Sequence, residues 1–184
     1  MLIVCNFICT DSQHLTQNNI ILRKATAADV PLLRYWDEQP HVQKSDPDDD
    51  WHWEEELGRE VDWREQLIAE LNGRPIGFIQ IIDAAEEESH YWGDVPPGIK
   101  AIDIWIGEAD DLGKGYGTIM MQMAIERCFA DTNTNTILID PLETNKRAHK
   151  FYERLGFVFL RNQVFHDELC SIYELTRHRW LAIS

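Results

Sequence analysis

Three glycines at alternating positions precede a predicted helix in the second half of this chain. They lie in residues 112–118, LGKGYGT, after a strand-like run and before the apolar stretch 119–129. Glycine allows positive φ and close backbone approach. Amide N–H groups left free there, at the positive end of the helix dipole, can bind an anion. A glycine-rich turn that only joins a strand to a helix has the same sequence appearance.

Two other phosphate-binding patterns do not fit this loop. In a Walker A loop the lysine comes directly before Ser or Thr at the helix start, whereas Lys114 lies between the glycines. A Rossmann fingerprint has the spacing G-x-G-x-x-G near the start of its fold. Here the spacing is G-x-G-x-G, and the loop lies late in the chain.

A second pattern covers residues 145–157, NKRAHKFYERLGF, and most of it is predicted to be helical. It begins with Asn145, which can cap a helix, and it contains Ala148 and Tyr152. Lys146 and Lys150, together with Lys114 of the glycine loop, are available to pair with phosphates. An anionic ligand therefore fits this half of the chain.

Two aspartates lie in or after the strands near these patterns. Asp103 is the acidic residue of an otherwise apolar strand, and Asp140 ends the next strand just before Pro141. A carboxylate can bind an ammonium group and accept its proton, so both are candidates for contact with an amine. Asp103 could instead face outward from its strand, and Asp140 could simply form a turn.

The charge of the chain is unevenly distributed. Residues 1–110 contain 8 Lys and Arg against 23 Asp and Glu, a net charge of −15, whereas residues 111–184 contain 9 of each. Strong negative charge argues against a nucleic-acid partner, whose phosphates need cations. It suits a cationic small molecule, whose approach an acidic cleft accelerates. An acidic surface also keeps a protein soluble, without any ligand.

The elements that must position these residues follow from hydrophobic periodicity. Strands are predicted at 20–23, 66–71, 75–82, 100–107, 136–140, 157–161 and 170–176, and helices at 30–39, 51–60, 119–129 and 144–155. Asn72-Gly73 is a strong hairpin signal between the second and third strands. Two helices, an antiparallel meander and a β-α-β-α-β tail predict a mixed α/β fold.

Residues 20–184 are predicted to form one domain, and residues 1–19 a poorly ordered or loosely attached extension. The extension has an apolar segment but lacks the basic start and the cleavage site of a signal peptide. The spacing of the four cysteines fits no disulfide framework, which favours reduced thiols and a cytoplasmic location. No apolar run is long enough to cross a bilayer, and the histidines form no metal motif. We expect neither a membrane partner nor a metal.

The order of elements, the glycine loop and the 145–157 pattern together resemble the GCN5-related N-acetyltransferase superfamily. The resemblance covers about residues 20–177, and within the superfamily it is strongest to the aminoglycoside 6′-N-acetyltransferases. Four segments carry that second resemblance: 72–78, 101–103, 112–118 and 140–145. It implies a central, mostly antiparallel twisted sheet flanked by helices. The superfamily often has Arg or Gln at the position of Leu112, so here the phosphates would be held mainly by backbone amides.

The resemblance also implies roles for individual residues. Asp103 would be the general base and Tyr152 the acid that protonates the coenzyme A thiolate, although Tyr152 could instead only pack beneath the sheet. Asn145 would bind the pantetheine arm, cap its helix, or do both. Predicted contacts with acetyl-coenzyme A come from Ile104, Trp105, Ile106, Gly113, Lys114, Gly115, Gly117, Thr118, Asn145 and Ala148. Predicted contacts with the acceptor come from Trp92, Asp94, Asp103 and Asp140.

The function that these residues imply is direct transfer of an acetyl group from acetyl-coenzyme A to a primary amine in a ternary complex. The acceptor would be a cationic small molecule, above all the 6′-amine of an aminoglycoside. A protein N-terminus, a lysine or a siderophore precursor is an alternative acceptor. A module that binds coenzyme A or a cationic drug without turnover is a further alternative. We expect a monomer or a homodimer.

Overall fold

The computed structural model describes residues 19–45, 51–165 and 167–183. The predicted extension therefore lies outside the described residues, apart from Asn19. The carbonyl of Asn19 accepts a hydrogen bond from the amide of Asn72 at 3.1 Å, so the chain is attached to the sheet from this residue onward.

Seven strands in the described part of the chain form one sheet in the order β1-β2-β3-β4-β5-β7-β6. Neighbouring strands are antiparallel except for β4 and β5, which are parallel. The predicted mixed α/β fold with a mostly antiparallel sheet is confirmed. The strands are β1 (Ile20–Lys24), β2 (Arg64–Leu71), β3 (Arg74–Asp83), β4 (Ile99–Ile106), β5 (Thr136–Ile139), β6 (Val158–Phe165) and β7 (Glu168–Thr176).

The helices differ from the prediction in three places. The predicted helix 30–39 ends earlier, at Asp37. Gln39 precedes Pro40 and has ψ 130°, because the residue before a proline is disfavoured in the α region. The predicted helix 51–60 is reduced to four residues, and the C-terminal α6 was not expected from the sequence. The helices are α1 (Val30–Asp37), α2 (Pro40–Gln43), α3 (Trp53–Glu56), α4 (Tyr116–Ala130), α5 (Lys146–Arg154) and α6 (Arg177–Ile183). Within the described ranges, no helix is both long and apolar enough to span a membrane.

The two faces of the sheet are covered differently. The first face packs against α4 and α5 through a continuous apolar core that includes Ile79, Ile102 and Ile137. The second face carries two separate apolar clusters. One contains Trp36 of α1 and Trp53 of α3, and the other lies under the β3–β4 loop, residues 84–98. Between these two clusters the second face is polar.

A close approach at Gly107 places α1 at the end of β4. A Cβ atom built on Gly107 would lie 2.0 Å from the ring of Trp36, which leaves no room for any side chain. Trp36 is fully buried and its indole N–H donates to Glu108 at 3.3 Å. The N-terminal helices are thereby fixed over the second face, beside the strand that carries Asp103.

Candidate active site

The parallel strands β4 and β5 pair only over their first residues. Ala101 and Leu138 are the last pair in register, and beyond them a gap opens between the strands. A residue two positions further along a strand points to the same face. Asp103 and Asp140 therefore lie on the second face, one on each side of the gap, although 36 residues separate them in sequence.

The edge of β4 beside this gap offers backbone groups to a ligand. The amide of Gly107 donates to Ile76 and that of Ala84 donates to Ile99, both at 3.0 Å. In an antiparallel pair the hydrogen-bonded residues alternate, so Ile104 and Ile106 direct their backbone groups away from β3 and toward the gap. The carbonyl of Ile106 accepts a hydrogen bond from Nε2 of His41 at 2.8 Å. An extended, amide-containing ligand can bind the remaining groups as an added strand.

A row of polar side chains crosses the second face and ends at the gap. Gln66 is paired with Gln80 in the register of β2 and β3, and Gln80 is paired with Asp103 in that of β3 and β4. Nε2 of Gln66 donates to Oε1 of Gln80 at 3.1 Å. Nε2 of Gln80 in turn donates to Oδ2 of Asp103 at 3.0 Å. The strand register therefore places Gln80 beside Asp103, where its amide binds the carboxylate on the side away from the gap.

Asp140 has a different environment on the other side of the gap. Burial raises the pKa of Asp140 to about 6, because the protein offers the ionised form less solvation than water does. The hydroxyl of Tyr91, in the β3–β4 loop, donates a hydrogen bond to this carboxylate and partly opposes the rise. Asp140 is thus ionised at neutral pH and can change protonation within a pH range that proteins tolerate.

Tyr152 lies on α5, behind the gap. Its side chain is buried in the first-face core beside Phe157, and it also lines the cleft. Burial raises the pKa of Tyr152 well above its usual value, and the nearby carboxylates Asp103 and Asp140 raise it further. The phenol is therefore protonated at neutral pH and close to both acids.

The glycine loop has the geometry of an anion site. Gly113 and Gly115 have φ of 77° and 85°, in the left-handed region that favours glycine, and α4 begins directly after Gly115. Among the described residues, the amides of 113–117 donate to no backbone or side-chain acceptor. These donors at the positive end of a 15-residue helix can receive phosphate oxygens.

Asp111 holds this loop in place. Arg74 donates to both oxygens of Asp111, at 2.7 and 3.1 Å, and Lys114 donates to Oδ1 at 3.2 Å. Arg74 and Lys114 keep the pKa of Asp111 below its usual range, despite burial. Lys114, predicted to contact the cofactor, is thus paired within the loop and is not among the residues that line the cleft.

Asn145 caps α5. Its side-chain oxygen accepts a hydrogen bond from the amide of Ala148 at 3.1 Å, which is one of the two roles that the sequence left open. Asn145 and Ala148 both line the cleft. The cap aligns the first turn of α5 with the gap, so the helix that carries Tyr152 is positioned from its start.

One cleft of about 1410 Å³ connects these parts. Asp94 is exposed and does not line it. Trp92 is 7% exposed and packs mainly in the cluster under the β3–β4 loop, with one side toward the cleft. The predicted site residues that line the cleft are Trp92, Asp103, Ile104, Trp105, Ile106, Gly113, Gly115, Gly117, Thr118, Asp140, Asn145, Ala148 and Tyr152.

Charge divides the cleft into two parts. Basic residues on α5 lie on the first-face side: Lys146, Arg147, Lys150 and Arg154. Acidic residues lie on the second-face side, at the end of α1 and on α3, the β3–β4 loop and β7: Asp37, Glu38, Glu56, Glu87 and Glu168. Arg64 of β2 lines the same side and forms an ion pair with Glu56, so acids still outnumber bases there. Trp51 and Trp105 stand among these acids with ring centroids 5.2 Å apart. An anion therefore fits one part of the cleft and a cation the other.

Sequence reasoning missed three residues of this site. Gln80 could have been noticed, since it is the polar residue inside the apolar run 76–82 of β3. Tyr91 gave no signal, because its contact with Asp140 depends on how the β3–β4 loop folds back over the sheet. His41 gave none either, because the carbonyl that it contacts lies 65 residues away along the chain.

A family model described as an acetyltransferase (GNAT) domain matches residues 25–165. That is more than half of the chain, and it includes the gap, the glycine loop and α5. The chain belongs to the GNAT acetyltransferase family. The superfamily resemblance is thereby confirmed, and the protein is an acetyltransferase.

Named relatives and solved structures agree with this assignment. The aminoglycoside N(6′)-acetyltransferase type 1 of Klebsiella pneumoniae is 31% identical over 156 residues, 77% of this chain and 75% of that protein. The crystal structure of the aminoglycoside acetyltransferase AAC(6′)-Ib with coenzyme A and kanamycin is 28% identical, with a TM-score of 0.81, over 89% of this chain and 98% of the other. A further structure, AAC(6′)-Ib with ribostamycin and coenzyme A, has a TM-score of 0.75 at 27% identity, over 88% and 96% of the two chains. The coenzyme A in these structures agrees with the predicted donor.

Proposed function

We propose that this acetyltransferase transfers the acetyl group of acetyl-coenzyme A directly to the 6′-amine of an aminoglycoside, in a ternary complex. The observation that carries the proposal is the placement of Asp103 and Asp140 on opposite sides of one gap. Behind the gap lies Tyr152, at one end lies the glycine loop, and the acidic half of the cleft lies in front. Donor and acceptor can thus meet without a covalent enzyme intermediate.

The donor half follows from backbone geometry and charge. Free amides of residues 113–117 would receive the pyrophosphate, and the gap-facing groups of Ile104 and Ile106 would pair with the pantetheine amides. The basic side chains of α5 would lie near the remaining phosphate. This arrangement directs the thioester toward the gap. There, one backbone N–H of β4 can stabilise the oxyanion that forms when the amine attacks the thioester carbonyl.

The acceptor half follows from acids combined with aromatic rings. An aminoglycoside carries several ammonium groups on sugar rings, and five acidic residues besides Asp103 and Asp140 line the second-face side of the cleft. The indole of Trp51 stacks on Trp53 and lines the cleft beside these acids, where it can pack against a sugar ring. The kanamycin and ribostamycin complexes of AAC(6′)-Ib, and the relative of 31% identity, support this choice of acceptor.

The proposed steps conserve protons. Asp140, which is ionised at neutral pH and held by Tyr91, binds the 6′-ammonium and takes one of its protons, which leaves the neutral amine that attacks. Asp103 accepts the proton of the attacking amine, directly or through water, as the nitrogen bonds to the thioester carbon. The tetrahedral intermediate then expels the coenzyme A thiolate, which takes the proton of Tyr152. Protonation of one carboxylate removes part of the charge that opposes ionisation of Tyr152, so the first proton transfer favours the second.

The direct test is release of free thiol from acetyl-coenzyme A on addition of an aminoglycoside. Neomycin and paromomycin form a matched pair, since they differ by an amine or a hydroxyl at C6′. We expect turnover with neomycin and kanamycin and at least a 100-fold lower kcat/KM with paromomycin. Equal kcat/KM values for neomycin and paromomycin would refute acetylation at the 6′-amine. Turnover with peptides or polyamines but with no aminoglycoside would refute the substrate class.

The proposed base is tested by Asp103→Asn. We expect kcat to fall by about 10²–10⁴-fold, because a positioned general base contributes that much. Asp62→Asn is the matched control, because Asp62 is exposed and lies outside the cleft. An unchanged kcat at saturating substrate would exclude Asp103 from proton transfer.

A further inference from the structure

Gln80 is a buried polar residue for which packing alone gives no reason. It is 5% exposed and lies on the second face of β3, between Phe78 and Ile82, which are both buried and apolar. Burying an amide is unfavourable unless its hydrogen bonds are made, and an aliphatic side chain would fill the position without that requirement.

The hydrogen bonds of Gln80 fix its orientation. Its Oε1 accepts from Gln66 at 3.1 Å, and its Nε2 donates to Asp103 at 3.0 Å. An ionised carboxylate only accepts hydrogen bonds, so the amide nitrogen must face Asp103. Gln66 completes the arrangement by donating to the oxygen that this orientation leaves on the other side.

The contact at Asp103 restricts the carboxylate in two ways. One oxygen, Oδ2, is held by the amide of Gln80, which fixes the rotation of the carboxylate. The donated hydrogen bond also favours the ionised form, which is the form that a base requires. Two phenols lie near Asp103, Tyr91 of the β3–β4 loop and Tyr152 of α5, and both are uncharged at neutral pH.

We propose that Gln80, held by Gln66, is a positioning residue that aims the Asp103 carboxylate at the acceptor amine. Gln80 acts through Asp103 and does not touch the reacting atoms. The inference rests on the proposed role of Asp103 in acetyl transfer, and it adds a residue outside both sequence patterns.

The test is a double-mutant cycle. Gln80→Met keeps the approximate volume and removes the donor. We expect kcat to fall roughly 10- to 100-fold, which corresponds to one hydrogen bond to a charged group, while the KM for acetyl-coenzyme A stays within twofold. In the Asp103→Asn background the same change should lower kcat less than twofold, because the group through which Gln80 acts is gone.

The outcomes of this cycle test the role of Gln80 and the role of Asp103 separately. Full activity of Gln80→Met, or an equal fold-loss in both backgrounds, overturns the role of Gln80 and leaves the proposed function intact. Full activity of Asp103→Asn instead overturns the proposed base. Should Gln80→Met not fold, Gln66→Met serves, because it removes the hydrogen bond that holds Gln80 on the side away from Asp103. A loss of several-fold that disappears with Asp103→Asn supports the proposal, and no loss refutes it.

Discussion

Asp140 is expected to destabilise the folded protein at the pH where it works. Burial raises the pKa of this carboxyl from 3.8 to about 6. The ionised form is therefore less favourable in the folded state than in the unfolded state by about 3 kcal/mol, at 1.36 kcal/mol for each pKa unit. Asp140→Asn keeps the shape and an acceptor for the Tyr91 hydroxyl, but it removes the charge.

The pH dependence has a definite sign. Below pH 3.8 the carboxyl is protonated in both states, and the substitution should change the free energy of unfolding little. Between 3.8 and about 6 the unfolded state ionises first, so the wild type loses stability relative to the variant. Above pH 6 the variant should be more stable by the full amount, about 3 kcal/mol.

Urea denaturation followed by tryptophan fluorescence at several pH values measures this difference. The control is again Asp62→Asn, whose effect should stay within about 0.5 kcal/mol at every pH because the residue is exposed. A gain that does not depend on pH would show that packing, and not charge, is responsible. A loss of stability at pH 8 would refute the reasoning, because it would mean that the ionised carboxylate is stabilised in the folded state.

Three further predictions concern the reaction. Tyr91→Phe removes the hydrogen bond to ionised Asp140, so the pKa of Asp140 should rise above about 6. The acidic limb of the pH profile of kcat/KM for the aminoglycoside should then move up by about one pH unit. An acidic limb that stays in place or moves to lower pH would contradict this prediction. Tyr152→Phe should lower kcat by about 10²–10³-fold with little change in either KM, measured by thiol release, if the phenol protonates the thiolate; a change confined to KM would instead indicate a packing role. Gly113→Ala places a side chain on a residue with φ 77°, and this backbone conformation then costs about 1–2 kcal/mol. Because the strained conformation is the one that would bind the donor, the KM for acetyl-coenzyme A should rise about tenfold with kcat nearly unchanged. An unchanged KM in that variant would show that the loop does not hold the donor.

Much of the fold could be predicted because its signals are local. Asn72-Gly73 forms the hairpin between β2 and β3 as its sequence indicates, with positive φ at both residues. The extent of α3 differs from the prediction for a reason that is partly local. The helix spans only Trp53–Glu56, and it ends just before Gly58, a residue of low helix propensity that the predicted range 51–60 includes. Its start depends on tertiary packing, because Trp53 is buried in the second-face cluster.

The sequence by itself determined the glycine loop and the helix cap of the donor half. Both are made by neighbouring residues, so their local geometry is present in the order of residues, and the distant Arg74 only adds a pairing with Asp111 beside the loop. The identity of Asp103, Asp140 and Tyr152 as candidates also came from the sequence, aided by resemblance to a family.

Only the tertiary structure decided how these residues meet. Asp103 and Asp140 face one gap because the β4–β5 register ends at Ala101, and a shift of one residue would turn either side chain to the other face. The same register aligns Gln80 with Asp103, and the fold of the β3–β4 loop brings Tyr91 to Asp140. Contacts between distant residues depend on register and loop path, which no local pattern of residues specifies.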